Sequence, residues 1–531
     1  MIDTKALREK VLDLAIRGKL VPQDPNDEPA SVLLERIREQ KKQMVKEGKL
    51  KAKDIKDDSV IFVGDDNLHY EKFADGTVVL IEEDIPFEIP KSWVWARLGS
   101  LAQYKKGPFG SSITKAMFVP DSPTAIKVYE QKNAINKDAT LGSYFISAEK
   151  YELLKGFEIF PSDIIVSCAG TIGETYVMPE TMRKGIINQA LMKISLYDLG
   201  IIDFYLIYFD CQLKKAAREQ GHGVALKNIP PFDVLKKYLV PIPPIEEQAR
   251  IVDSVNNLLG TVDGIDTISD ELNDLVVSAK SKILDLAIRG KLVPQDPDDE
   301  PASVLLERIR AEKEELIKQG KIKRDKKESV IFKGEDNSYY RLTADKKRFD
   351  AEIPFEIPKN WCWTTLPSVA SVELGKTLDK AKNTGSYYPY LRSVNVQWGY
   401  IDLSDLNEMK FEEHEIDKYS IKRNDLLICE GGDVGRCCIW ERKDTFLYQN
   451  ALHRVRFYAD LEPRFYLYVM MLYESLGILK NISTGVTIKH LTGNVLSAMP
   501  VPLPPLADQK QIVEAIETAF AQLDEITNAI S

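Results

Sequence analysis

LAIRGKLVPQDP occupies residues 14–25, and the same twelve residues return unchanged at 286–297. The match runs further in both directions. Residues 11–39 and 283–311 differ only at Val11/Ile283, Asn26/Asp298 and Glu39/Ala311. A repeat of this length makes the chain a duplication and suggests where its other segments should recur. They do recur. IPFEIPKSWVWARL (85–98) returns as IPFEIPKNWCWTTL (353–366), and INQAL (187–191) as YQNAL (448–452). CAGTIGE (168–174) returns loosely as EGGDVGR (430–436), and GVALKNI (223–229) as GVTIKHL (485–491). VPIPPIEEQARIV (240–252) returns as VPLPPLADQKQIV (501–513). Between these matched frames lie stretches, such as 104–160 against 372–422, that barely align.

After PIPPIEEQ, apolar residues recur at intervals of three and four: Val252, Val255, Leu259, Val262, Ile265, Ile268, Leu272, Leu275 and Ala279. This spacing predicts one long helix suited to helix–helix packing, ending near Ile288 at Arg289–Gly290. Gly260 and Gly264 weaken its middle and are candidate bends. Its second copy is split between the chain ends, with Leu7, Val11, Leu12, Ala15 and Ile16 on one piece and Val513, Ile516, Phe520, Leu523, Ile526 and Ile530 on the other. The expected fold class is α+β. Two globular α/β cores are separated by two long antiparallel spacer helices in a pseudo-two-fold circular repeat. The expected boundaries are 1–18 for the N-terminal part of the second spacer, 92–244 and 360–505 for the two cores, 245–290 for the central spacer and 506–531 for the C-terminal part of the second. Charged helical/β inserts fill 19–91 and 291–359. In them SVLLERIREQKKQMVKEGKLK (31–51) predicts a helix that buries Leu33, Leu34 and Ile37. Two uses of the inserts stay open, partner docking or a solvated hairpin on the scaffold.

The net charge of −10 conceals segregation. Residues 97–237 carry a small excess of Lys and Arg, whereas 245–288 and 506–531 are acidic. A basic face confined to the cores remains compatible with nucleic-acid binding, so total charge decides nothing. No apolar run reaches a membrane-spanning length, the N-terminus lacks a signal-peptide pattern, and the six cysteines show no C-x-x-C spacing. The expectation is a cytoplasmic protein without structural zinc.

The order of these motifs resembles the specificity subunit of type I restriction–modification systems: a Pro-Pro-Ile/Leu-x-x-Gln helix start, a long spacer, an Arg-Gly-Lys-Leu exit and two dissimilar cores. The resemblance covers almost the whole chain. It implies two target-recognition domains, each reading one half of a split double-stranded DNA sequence across a gap set by the spacers. The implied partners are two methyltransferase subunits and restriction (translocase/nuclease) subunits. No cofactor is expected on this chain. S-adenosylmethionine, ATP and Mg belong to the partners. The open alternatives are a symmetric protein scaffold that does not touch DNA and a stand-alone modification enzyme.

Catalytic constellations are not visible. NIPPF (228–232) resembles the N-P-P-[FY] motif of amino-methyltransferases, but Ile229 separates the asparagine from the proline pair. ELGKT (373–377) resembles the end of a phosphate loop, yet Ala370 stands where the earlier glycine is required. The glycine-rich CAGTIGE and EGGDVGR are expected to be tight turns between strands.

Candidate DNA contacts follow from side-chain chemistry. In YKKGPFGSSITK (104–115), Lys105, Lys106, Ser111, Ser112 and Lys115 suit a phosphate-gripping loop. Asn188 and Gln189, matched by Gln449 and Asn450, have amides able to bond adenine, although their recurrence fits a structural role as well. Lys227 and Lys489 recur as phosphate positioners, and Lys376 joins the candidates. Base reading is expected from non-matching residues: Lys127, Gln131, Lys132 and Asn133 in the first core, and Arg392, Ser393, Asn395 and Gln397 in the second.

Overall fold

The computed structural model describes residues 2–52, 55, 58–168, 171–220, 232–324, 328–379, 383–483 and 490–530, with backbone alone at 212–220, 232, 233 and 530. The chain divides into two units, Asp3–Thr267 and Ile268–Ser531 joined by Met1–Ile2.

In the first unit the helix Thr4–Ile16 begins where the Asp3 carboxylate accepts the Ala6 N–H at 2.8 Å. It ends on Gly18, whose φ of 64° is a left-handed conformation. Lys19 N–H then reaches the Leu14 carbonyl and Gly18 N–H the Ala15 carbonyl, closing the helix. A Cβ on Gly18 would strike the Pro90 ring and Trp93, which accounts for glycine here twice over. The next helix, Ala30–Lys46, buries Ala30, Leu33, Ile37 and Lys41. Leu34 is half-buried. The Lys41 ammonium reaches Asp58 at 2.5 Å, and burial lowers its pKa. Because Ala30, Leu33 and Ile37 share a cluster with Leu98 and Leu101, the helix is part of the core, in contrast to a solvated hairpin. A three-stranded antiparallel sheet follows: Ser59–Val63, His69–Phe73 and Val78–Leu80.

Two four-stranded sheets build the first core. The first has the order Thr175–Val177, Ile164–Ser167, Leu191–Leu196, Ala102–Lys106. The second has the order Phe145–Ile146, Ile126–Tyr129, Gly185–Ile187, Glu158–Ile159, with its central pair parallel. Entry and exit strands pair with each other, Val94–Arg97 against Leu239–Ile242.

The second unit repeats this topology. Its three-stranded sheet is Ser329–Lys333, Tyr339–Thr343 and Arg348–Asp350. Its four-stranded sheets run Cys437–Ile439, Leu426–Cys429, Leu452–Phe457, Ala370–Leu374 and Asn407–Phe411, Ser386–Leu391, Phe446–Tyr448, Ser420–Ile421. The closing pair is Cys362–Thr365 with Pro500–Leu503. The divergent cores therefore have the same strand order. The fold is α+β, as expected.

The central helix, Ile245–Ile288, is continuous for 44 residues, roughly 65 Å at 1.5 Å per residue. Gly260 and Gly264 do not interrupt it. Its end repeats the Gly18 arrangement at Gly290, φ 66°, with Lys291 N–H on the Leu286 carbonyl. In the first unit, Ile251 and Val255 pack with Ala15, and Arg8 bonds Asp263 at 2.5 Å and Asp266 at 2.7 Å. In the second, Leu284, Ala287 and Ile288 pack with Ile512, Val513 and Ile516 of the helix Leu506–Ile530, and Lys280 bonds Asp524 at 2.5 Å. Both chain-end helices thus run antiparallel to their stretch of the central helix. The expected apolar seam is corrected at two points. Ile268 and Leu275 are 63% and 65% exposed, while Val276 is buried, because the helical stripe passes through 276 rather than 275.

The repeated Pro-Pro-x-x-x-Gln motif has a local cause. Gln248 donates its side-chain amide to the Pro243 carbonyl at 2.9 Å, and Gln509 donates to Pro504 at 3.0 Å. One turn position differs between the copies. In the first unit Trp93 Nε1 and Gln23 Nε2 donate to buried Glu247, and Arg250 pairs with the neighbouring Asp27 at 2.5 Å. In the second, Trp361 Nε1 donates to Asp508 at 3.1 Å, but Gln511 stands where Arg250 stood. Burial pushes the Asp508 carboxyl up, and its acidic neighbours Asp299 and Asp296 add to this. A carboxyl raised in the folded state favours the fold below its ordinary pKa and loses that contribution as pH rises through the folded value. Gln511→Arg should restore the missing cation beside Asp299. The expected gain is about 0.5–1 kcal/mol at pH 7, shrinking towards pH 4. Thermal unfolding of Q511R and wild type across that range checks it. An equal gain at both ends would refute the proposed cause.

Candidate nucleic-acid interface

The matched motifs, scattered through the sequence, join at one end of each core. In the first unit Gly107 N–H donates to the Leu191 carbonyl, Asn188 N–H to Tyr129, and Cys168 N–H to Ala190. In the second, Gly375 N–H donates to Leu452, Lys376 N–H to Tyr448, Gln449 N–H to Leu391, Glu430 N–H to Ala451 and Leu491 N–H to Glu430. The frame is therefore a hydrogen-bonded junction. Gly107 and Gly375 occupy its tightest points. A Cβ at either would overlap the backbone carbonyl of Asn188 or Gln449. The glycine-rich segments join antiparallel strands as expected, 168–174 between Ile164–Ser167 and Thr175–Val177, and 430–436 between Leu426–Cys429 and Cys437–Ile439. Residues 169 and 170 lie outside the described residues. Burial pushes the Cys168 and Cys429 thiols up to about 11, so neither turn presents a thiolate nucleophile near neutral pH.

The sequence candidates separate into two sets around this junction. Lys106 and Lys115 are exposed and make no ion pair among the described residues. Ser111 is exposed and Ser112 half-buried in a single 3-10 turn. Gln189 is exposed, and the Gln449 and Asn450 side chains are half-buried. Asn188 uses its Oδ1 to accept Ala190 N–H at 3.0 Å, a turn-forming bond. Lys105 is exposed with its ammonium 4.8 Å from the Phe157 ring centre. It lies directly across the sheet from Lys193, and partial burial and that neighbour lower its pKa. The second core places Glu373 against Arg454 at this register, bonded at 2.7 Å. The first core thus carries an extra positive charge where the second is neutralised.

Other candidates are spoken for. Lys127 is buried and donates to the Thr140 carbonyl at 2.8 Å. Lys376 is buried in an ion pair with Glu415, which holds that carboxyl below its usual range. Releasing either lysine to a phosphate would first break that bond. Asn133 and Asn395 are both buried and perform one job. Asn133 accepts Glu130 N–H and donates to the Asp138 and Leu141 carbonyls, all at 2.8 Å. Asn395 accepts Arg392 N–H at 2.9 Å and donates to Asp402 and Asp405 at 3.0 and 2.8 Å. Residues 130–133 and 392–395 are counterparts, a correspondence hidden in the unaligned cores. The amides close a turn and are not aimed at base edges. Arg392 is tied to Asp405 at 2.8 Å and Gln397 donates to Val394 at 2.9 Å, whereas Ser393 is half-buried and engages Arg436 only through its backbone carbonyl, at 2.9 Å. Lys132 is exposed but bonded to Glu130 at 3.0 Å, and Gln131 is half-buried and engaged. Lys227, Lys489 and most of NIPPF lie outside the described residues. One residue was passed over in the sequence. Phe109 is 87% exposed. Its only signal was an aromatic side chain between Gly107-Pro108 and Gly110.

The type I restriction modification DNA specificity domain matches residues 90–274 and 358–531, which hold both cores and the start of each long helix that follows. The chain belongs to this family. The Escherichia coli type I restriction enzyme EcoAI specificity subunit is 26% identical, over 97% of this chain and 88% of its own length. The EcoEI specificity subunit of the same organism is 24% identical, over 99% and 90%. Among solved structures, the chain is similar to one from a study of complex assembly and conformational transition of the type I R-M system. The identity is 16%, the TM-score 0.49 and the coverage 84% of this chain and 94% of that one. The HsdS subunit from Thermoanaerobacter tengcongensis gives 15%, 0.42, 84% and 92%. The family match leaves most of the inserts, 19–89 and 291–357, outside. Among the described residues no helix is long and apolar enough to cross a membrane.

Proposed function

We infer that this specificity subunit recognises a split DNA target, one half-site per unit, as the non-catalytic member of a methyltransferase and restriction complex. The observation that carries this is one topology used twice. A near-identical frame closes both cores by the same hydrogen bonds, while the residues between have diverged in charge and exposed chemistry. A repeated frame supports two copies of one partner, here two methyltransferase subunits, and divergent surfaces support two different half-sites. Restriction subunits, S-adenosylmethionine, ATP and Mg complete the reading on the partner side.

The exposed lysines would grip phosphate and orient the duplex, and the exposed polar groups around the junction would meet base edges. Binding through several phosphates should be steeply salt-dependent. The assembled complex should lose about 10–100-fold in affinity for duplex DNA between 50 and 200 mM salt. Fluorescence anisotropy with a labelled duplex measures this. The purified chain alone should transfer no methyl group, which a tritiated methyl-donor assay tests. Methyl transfer by the isolated chain, or DNA affinity indifferent to salt, contradicts the proposal.

A further inference from the structure

We propose that Phe109 is a base-stacking residue that the first unit inserts into its half of the DNA target. The inference rests on the DNA-recognition reading above and adds a residue and a contact to it. A single exposed apolar side chain is ordinary on a protein surface and carries little by itself. Three features set Phe109 apart. Its ring is the most exposed large hydrophobic side chain among the described residues, at 87%. Its backbone is held in place. Gly107 is wedged against the Asn188 carbonyl, Pro108 is buried, Ser112 N–H closes on the Phe109 carbonyl at 2.8 Å, and Ile113 is buried in the core. A loop that merely tolerated a phenylalanine would have no need of such anchoring. Finally, the surroundings suit nucleic acid. The loop leaves the strand that ends in Lys105 and Lys106 and continues through Ser111 and Ser112 to Lys115.

The chemistry joins two functions in one loop. Ammonium and hydroxyl groups hold phosphates, while an anchored aromatic ring meets a base face or a base step opened beside it. Apolar side chains used in this way partly unstack the duplex, and stacking of a base on an aromatic ring offsets that cost. An anchored ring loses little further conformational freedom on binding. The second unit differs at the equivalent loop. Beyond Gly375 it carries Leu378, 44% exposed, and Lys376, the lysine next to that glycine, is buried in an ion pair. An aliphatic tip stacks poorly, so the described part of this loop offers no counterpart to Phe109.

The test uses the full chain assembled with its methyltransferase subunits. The probe is a duplex bearing the sequence that the wild-type complex methylates, with 2-aminopurine placed in turn at each first-half position. Phe109→Ala should weaken target binding about 5- to 100-fold. It should abolish the 2-aminopurine signal at one position, relax methylation only in the first half-site and leave weak binding to an unrelated duplex unchanged. Phe109→Trp should retain target binding and the signal. Circular dichroism of F109A should match wild type, since so little of the ring is buried. Target affinity of F109A within twofold of wild type overturns the proposal. So does an equal loss on both duplexes, or failure of F109A to assemble with the methyltransferase, which would make the ring a protein contact. A wild-type complex with no preference for the target would remove the DNA-recognition reading itself, and the stacking role with it.

Discussion

Replacing Leu98–Tyr238 with the corresponding segment of another specificity subunit should change the first half of the methylated sequence completely and leave the second half untouched. The structure makes this exchange local. The segment enters and leaves through the antiparallel pair Val94–Arg97/Leu239–Ile242, in which Trp95 lies opposite Pro241. The two cut points are themselves joined, Leu98 N–H bonding the Tyr238 carbonyl at 2.9 Å. Apolar clusters of the first core draw on residues below 260, and those of the second on residues from 283 upward. A graft therefore disturbs one core only. The readout is genome-wide methylation mapping. If both halves of the sequence changed together, recognition would not be divided between the units and the inference from divergent cores would fall.

Gly107→Ala and Gly375→Ala should be among the most damaging single-methyl substitutions in the two cores, and equivalent to each other. Neither glycine has a positive φ, so the cost is a collision rather than backbone strain. The new Cβ would overlap a carbonyl oxygen, of Asn188 in one unit and Gln449 in the other. Those carbonyls cannot withdraw easily, because Asn188 N–H is held by Tyr129 at 3.0 Å and Gln449 N–H by Leu391 at 3.1 Å. Each substitution should cost about 3–5 kcal/mol in its own unit, at the upper end of what overpacking produces. Calorimetry should show one transition moved to lower temperature and the other in place, with the affected unit reversing between the variants. Specific binding should weaken at the matching half-site only. A variant with unchanged unfolding and intact recognition would mean that the junction yields more readily than its hydrogen bonds imply.

Much of the organisation was legible from local pattern. Gly18 and Gly290 announce helix ends because a left-handed residue is needed to turn the chain there. The three–four spacing after Pro244 defined a helix whose observed span is Ile245–Ile288. The repeated Leu33-x-x-x-Ile37 pattern gave the insert helix a buried face, and the structure showed that this face packs on the core. All of these depend on residues within a few positions of one another.

Side-chain function at the site was less legible. Lys127 and Lys376 have the chemistry of phosphate ligands, yet the fold buries both against partners at Thr140 and Glu415, reached only across turns and sheets. Asn133 and Asn395 seemed to be unmatched, base-reading amides until the parallel pairings Tyr129–Ile187 and Leu391–Tyr448 brought their segments into equivalent positions. Phe109 was hidden for the opposite reason. An aromatic residue in sequence is ordinarily a core residue, and only the folded loop shows this ring to be exposed. The sequence by itself determined the duplication, the helices, the frame and the family, since these rest on short-range periodicity and repetition. Tertiary structure decided which polar groups remain free to meet DNA, because whether a charge or amide is already satisfied depends on partners that strand pairing brings from elsewhere in the chain.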